Sequence, residues 1–340
     1  MGHYLERSSL KSWSPVRHPQ KTALRHCHTP CNLKLELTGT NSSRKRRPCT
    51  IQCKASNQEG NSSEVEKAPA ASSVLSFLCP LLKLVSGGDA AAPRNRFLEV
   101  ASTGFSSLAR QPWGSQVRTD AVAARKAQPA KRLQVYEFEA CPFCRRVRES
   151  LTELDLEAEI YPCPKDSVRH RAAVGAKGGK EMFPYLVDPN TGEAMYESSD
   201  IVKYLFRTYG GGADPTRGLL ESTLVTGWVP TLLRAGRGMT RYPKAPVEAP
   251  GKMLELYSYE NNQFARLVRE ALCELELPYI LHNTGKGSAG RAVLLQLKGN
   301  TQVPYLVDPN TATSVGDSEE IVKYLFKTYG QASTPAPVQA

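Results

Sequence analysis

The residues of this chain best suited to chemistry are two cysteines three apart, in Cys141-Pro-Phe-Cys144. Such a pair serves either zinc or thiol–disulfide exchange. Zinc takes four ligands, usually as two such pairs, and no second pair exists outside residues 1–54. Pro142 suits the first turn of a helix. That would set Cys141 against the unpaired N–H groups and positive dipole end of a helix N-terminus, which favour thiolate. Cys144 falls one turn later, near enough to close a disulfide, and Arg145 and Arg146 add positive potential. The residues favour a redox pair over a zinc site and over two inert structural thiols.

The elements that must carry this pair are written twice. PYLVDPNT and IVKYLF occur in both 131–210 and 252–330, which marks an internal repeat. The second repeat has Asn262-Gln-Phe-Ala265 in place of the cysteines. It therefore cannot exchange thiols, and Cys273, further along the same helix, does not substitute. In the first repeat, alternation and spacing predict strands at 133–138, 158–161, 185–187 and 194–196. Helices are predicted from Pro142, over 168–174 and over 198–209, the last with Ser198 as N-cap and Gly210 at its end. Asp188-Pro-Asn-Thr-Gly192 reads as a turn. The order β-α-β-α-β-β-α, repeated, predicts an α/β fold with an open mixed sheet covered by helices.

The formal net charge of +11 sits at one end of the chain. Residues 1–54 hold 11 Lys and Arg against Glu6 and Glu36, while the rest holds 33 against 31 Asp and Glu. A nearly neutral body argues against a nucleic-acid partner, which needs a phosphate-neutralising face. Residues 1–54 are rich in Ser, Thr, Arg and Lys and lack a continuous apolar run, so they read as an organellar transit peptide. The string from Ile51 to Ser56 resembles a chloroplast cleavage boundary and predicts a plastid location, stromal or membrane-associated. His26, Cys27, His28 and Cys31 read as leader composition rather than zinc ligands, and no metal is expected. Cys163 and Cys273 read as ordinary buried thiols. Residues 55–130 read as a partly disordered extension docking in part on the first repeat. Residues 211–251 read as a linker with a helix near 219–233, and 331–340 as a disordered tail. The apolar runs at 73–85 and 219–233 are too short to span a membrane. A weak membrane-surface contact is the one lipid reading they allow.

Cys-Pro-Phe-Cys after a strand resembles the active site of glutaredoxins. Phe183-Pro184-Tyr-Leu-Val resembles the cis-proline loop of thioredoxin-fold proteins. Glu197-Ser198, opening the last helix, resembles the acidic-Ser motif of glutathione transferase N-terminal domains. The tandem layout behind a leader is similar to that of plant chloroplast proteins of the glutaredoxin and glutathione transferase N-terminal-like families. The resemblance implies two tandem thioredoxin-like domains, with Cys141 as attacking thiolate and Cys144 as resolving thiol. Pro184 would be cis and present the Phe183 backbone to the cysteinyl part of glutathione. Glu197 and Ser198 would lie at the γ-glutamyl carboxylate, held by helix N–H groups. Glutathione is then the co-substrate, protein or small-molecule disulfides are the partners, and the activity is plastid thiol–disulfide exchange. The alternative is a non-enzymatic binding or scaffold protein with a redox-sensitive first domain. Phe138 stands where glutaredoxins place a lysine, and Glu139 beside it would oppose thiolate formation. The second repeat keeps Val303-Pro304 and Ser318, which implies a binding surface without chemistry.

Overall fold

The structure, a computed structural model, describes residues 90–91, 95–124 and 128–331. All of these lie in one unit. Residues 1–54, read above as a transit peptide, the apolar run at 73–85 and residues 332–340 of the expected tail fall outside the described residues.

In the first repeat, β1 (Leu133–Glu137) pairs in parallel with β2 (Ala158–Pro162) and antiparallel with β3 (Tyr185–Val187), which pairs with β4 (Ala194–Met195). Three helices intervene: α3 (Pro142–Glu153), α4 (His170–Gly178) and α5 (Ser198–Tyr209). Before them lie α1 (Arg96–Leu108) and α2 (Thr119–Ala124). The joining segment forms α6 (Ser222–Thr226) and α7 (Trp228–Leu233), two short helices broken at Gly227 rather than one. The second repeat has β5 (Leu254–Ser258), α8 (Gln263–Glu274), β6 (Tyr279–Asn283), α9 (Gly290–Lys298), β7 (Tyr305–Asp308), β8 (Thr313–Gly316) and α10 (Ser318–Tyr329). The predicted mixed α/β order holds in both repeats.

The strings that occur twice have a structural cause. The buried carboxylate of Asp188 accepts hydrogen bonds from the hydroxyls of Tyr204, at 2.6 Å, and Tyr209, and from the backbone N–H of Asn190. Asp308 is bound alike by Tyr324 at 2.7 Å, Tyr329 at 2.6 Å and Asn310. A buried carboxylate needs such partners. The Asp, the Asn and the two tyrosines therefore tie the β3–β4 turn to the last helix in each repeat.

The two repeats share one sheet. β2 pairs antiparallel with β6, giving eight strands in the order β4-β3-β1-β2-β6-β5-β7-β8, a palindrome about the β2–β6 seam. Joining the edges removes an unpaired row of backbone groups from each half. Above the seam, α3 and α8 face each other through buried charges. Arg148 binds Glu139 at 3.1 Å and Glu260 at 2.7 Å, and Arg269 binds both at 3.1 Å. Arg145 pairs with Glu149 and Arg266 with Glu270. Arg110 and Arg234, each just beyond the preceding helix, close on Glu149 and Glu270 at 2.5 and 2.7 Å.

These contacts show that the duplicated unit is longer than its identical strings. Arg110 and Gly114 correspond to Arg234 and Gly238, and each glycine has a positive φ and lies against the partner helices. A Cβ on Gly238 would stand 2.7 Å from that of Glu139. Each strap then crosses to the opposite repeat: Gln116 bridges Lys286, and Thr240 bridges Lys165. The extension therefore reaches both repeats, not the first alone.

Cross-capping explains why the second helix of the first repeat starts later than expected. The carboxylate of Glu276, from the second repeat, accepts from the N–H groups of Val168, Arg169 and His170 at 3.0 to 3.2 Å. It fixes the start of α4 at His170 rather than 168, and the helix runs on to Gly178. A cap from more than 100 residues away leaves no local signal. Asp155 plays the same part for Ala289, ahead of α9.

Candidate functional site

Cys141 is the N-cap of α3, and its Sγ accepts a hydrogen bond from the N–H of Cys144 at 3.3 Å. Burial by itself would raise the thiol. Hydrogen bonds from the Cys144 side chain and from the N–H groups of Cys144 and Phe143 outweigh it, so the Cys141 thiol lies below its ordinary value. Cys144 is fully buried, and burial, Cys141 and Glu137 hold its thiol well above the ordinary value. One helix start thus carries two thiols of opposite character. Cys163 and Cys273, both buried, are raised by burial.

In the second repeat Asn262 fills the same position. Its Oδ1 accepts from the N–H groups of Phe264 and Ala265 at 3.0 and 2.8 Å. An amide N-cap stands where the first repeat has a sulfur.

Cys141 and Cys144 share an apolar cluster with Phe138, Ala140 and Met239, and Phe183 packs against it. The Phe183–Pro184 and Val303–Pro304 peptide bonds are both cis. Cys273 joins the same cluster, so a thiol of the second repeat lines the first repeat's site.

Ser198 does not act as an N-cap. It is the first helical residue of α5, and the cap position belongs to Glu197, exposed, with φ 61° and no side-chain cap bond. The Ser198 hydroxyl instead accepts from Nε and Nη2 of Arg146 at 2.8 and 2.5 Å, and Ser199 accepts from Nη2 at 2.8 Å. Arg146 also interacts by charge with Cys141 and Glu197. It links the thiols to the start of α5. Arg145, by contrast, is absorbed by Glu149, Glu260 and Asn261. Glu139, expected to oppose the thiolate, is matched by Arg148 and Arg269.

Helices α6 and α7 lie over this site. Gly227 rests on Pro142, where an added Cβ would be 3.1 Å from the proline Cβ. Trp228 meets the ring of Phe143 edge-on at 6.3 Å. The hydroxyl of Thr231 donates to the carbonyl of Ala140 at 2.5 Å. Cys141 keeps 4% of its surface exposed.

The motifs did not point to Glu137, Met239 or Trp228, nor to the bridging place of Arg146. Aligning the repeats does reveal part of this. Glu137, Cys141, Cys144 and Arg146 face Ser258, Asn262, Ala265 and Leu267, whereas Glu139, Arg145, Arg148 and Glu149 recur as Glu260, Arg266, Arg269 and Glu270. Four neighbouring positions differ together, and they surround the thiols. Glu137 is the third carboxyl against Arg148, beside Glu139 and Glu260. Burial, with Glu139 and Glu260 nearby, pushes it up to about 7. Among the described residues, no group of three or more His, Cys, Asp or Glu is placed to hold a metal ion. No helix among them is long and apolar enough to cross a membrane.

Comparison with known proteins agrees with this architecture. The family model for the glutathione S-transferase N-terminal domain matches residues 135–213 and again residues 256–333. Among solved structures, glutathione transferase BmGSTD1 of Bombyx mori is 19% identical over 27% of this chain and 43% of its own, with a TM-score of 0.22. TDR1, a trimeric glutathione transferase of Leishmania, is 16% identical over 62% of this chain and 70% of its own, with a TM-score of 0.23. The chain thus spans less than half the length of the silkworm enzyme. No curated protein matches. The chain carries a glutathione S-transferase N-terminal-like domain of thioredoxin fold, and carries it twice.

Proposed function

We propose that the first repeat is a glutathione-linked thiol–disulfide oxidoreductase working through Cys141 and Cys144, in a plastid if residues 1–54 act as their composition suggests. What supports this reading is the pair of unlike thiols at the start of α3, one lowered and one raised. The Cys141 thiolate attacks the glutathione sulfur of a mixed disulfide. That S–S bond breaks, the substrate leaves as a thiolate that takes up a proton, and Cys141 becomes glutathionylated. A second glutathione thiolate then attacks the glutathionyl sulfur, giving glutathione disulfide and restoring the Cys141 thiolate. Alternatively Cys144 gives up its proton, closes a disulfide with Cys141 and expels glutathione. Phe183, Pro184, Glu197 and Ser198 would border the glutathione, with Arg146 and the α5 N-terminus facing its carboxylate.

The test is glutathione-dependent reduction of a small mixed disulfide by the chain from residue 55 onward. Cys141→Ser is expected to abolish turnover and Cys144→Ser to keep part of it. A folded, reduced wild type without turnover would refute the reading. One observation favours a second reading, a binding or scaffold protein with a redox-sensitive first domain: α6 and α7 cover the thiols, and Arg146 occupies the Ser198 hydroxyl.

A further inference from the structure

The layer formed by α1, α6 and α7 is inside out. Helix α1 buries the small polar residues Thr103 and Ser106, and exposes Phe97, Leu98, Phe105 and Leu108 on one stripe. Helix α6 buries Thr223 and exposes Leu224 and Val225, and α7 exposes the two leucines that end it. The buried hydroxyls are satisfied locally, Thr103 donating to Glu99 O at 2.8 Å and Thr223 to Leu219 O at 2.9 Å. Hydroxyl faces so satisfied let these helices lie on α3 and α8, and the apolar faces look away from the sheet. Helix α1 packs against α7, and α7 against α6, so the stripes adjoin. The eight large apolar side chains are 42 to 77% exposed. At ~150–200 Å² per large side chain, they leave on the order of 800 Å² of apolar surface in water. The largest apolar patch of a typical monomer is about 300–600 Å², whereas each partner in a standard interface buries about 800 Å².

The face is nearly repeated at its two ends. Arg234 donates to the Ser102 hydroxyl of α1 at 2.6 Å, and Arg110 to the Thr226 hydroxyl of α6 at 3.0 Å. The offset that relates Arg110 to Arg234 also relates Ser102 to Thr226 and Gly104 to Trp228. Helix α1 is thus the counterpart of α6 and α7. At one end Trp228 covers the start of α3 against Phe143. At the other, Gly104 leaves a groove of about 730 Å³ against the start of α8, lined by Phe97, Val100, Phe105 and Phe264. We infer that this face is the interface of a two-fold dimer and that its occupant is a second copy of this chain. A two-fold contact requires one patch to fit itself. The rotation lays α1 of one copy on α6 and α7 of the other, whose outward Leu224 and Val225 enter the groove beside Gly104. Charge does not oppose the contact. Residues 96–108 and 222–233 hold only Arg96 and Glu99 as charges, and both are engaged within the chain, Arg96 with Glu319 and Glu99 with Arg234. The same scarcity of charge disfavours lipid, since interfacial helices carry Lys and Arg along their polar flank. The dimer places α6 and α7, the cover over Cys141, inside the interface.

Sedimentation velocity on the full chain tests this. Interfaces of this size hold partners at micromolar dissociation constants or tighter, so a dimer is expected at about 10 µM. Phe105→Glu with Val225→Glu puts unpaired carboxylates into the contact and should raise the dissociation constant at least about a hundredfold. Both side chains are exposed, so the variant should keep its circular dichroism. Val293→Glu, at an exposed position on α9 and outside the face, should leave the dimer intact. A monomeric wild type overturns the inference, and flotation of that monomer with zwitterionic vesicles would assign the face to lipid. A dimer that survives Phe105→Glu with Val225→Glu, or that Val293→Glu dissociates, also overturns it by placing the contact elsewhere.

Discussion

At the scale of single residues, the two repeats act as each other's control. The same helix start is capped by sulfur in one and by an amide in the other. Arg146, whose counterpart is Leu267, holds Ser198 and places positive charge beside Cys141. Arg146→Leu is therefore expected to raise the Cys141 thiol and slow its alkylation at pH 7 several-fold, read from the pH dependence of iodoacetamide labelling. Glu137, whose counterpart is Ser258, helps to hold the Cys144 thiol up. In a Cys141→Ser background, Glu137→Gln should shift Cys144 labelling to lower pH. An unchanged titration would separate Glu137 from the thiols.

At the scale of elements, the cover over the thiols is made of few contacts. Thr231→Val removes the hydrogen bond to the Ala140 carbonyl and leaves it unpaired, which costs about 1–3 kcal/mol. Since 1.4 kcal/mol is a factor of ten, Cys141 alkylation should accelerate roughly tenfold with little change in its pH midpoint. Acceleration with an unchanged midpoint identifies opening of α6–α7, not thiol chemistry, as the step that limits access. Gly227→Ala should act in the same direction, since its Cβ would press on Pro142.

At the scale of the whole molecule, the seam decides stability. Arg148 is buried among Glu137, Glu139 and Glu260. Arg148→Met would strand these carboxylates and should cost about 3–5 kcal/mol in denaturant unfolding. An isolated 131–210 fragment exposes the β2 edge and loses the second repeat's Glu260, Arg269 and Glu276. It should unfold or self-associate, and a stable monomer in sedimentation and circular dichroism would contradict this. The pH dependence has two limbs. Glu260 and Glu270 are lowered to about 2 despite burial, by Arg148 and by Arg234 foremost, so their contribution is present above about pH 4.5 and lost as pH falls toward 2. Glu137 and Glu153 are raised to about 7 by burial, so their contribution is full below about pH 4.5 and lost as pH rises through 7. The melting temperature should peak near pH 5, and Glu137→Gln should flatten the upper limb.

The sequence by itself determined the repeat, the order of elements in each half and the place of the cysteine pair. Those depend on local periodicity, on turn and cap residues, and on identity between two strings. It even held the sign of the helix-start chemistry, because Cys141 and Pro142 act on their own backbone. The eight-stranded sheet, the Arg–Glu seam, the Glu276 cap on α4 and the cover over Cys141 were decided by tertiary structure. Each joins residues from segments far apart in the chain, often more than 100 positions, so no window of sequence contains both partners. Ser198 is the plainest case. Its type and position suited an N-cap, and only packing against α3 could hand its hydroxyl to Arg146 instead.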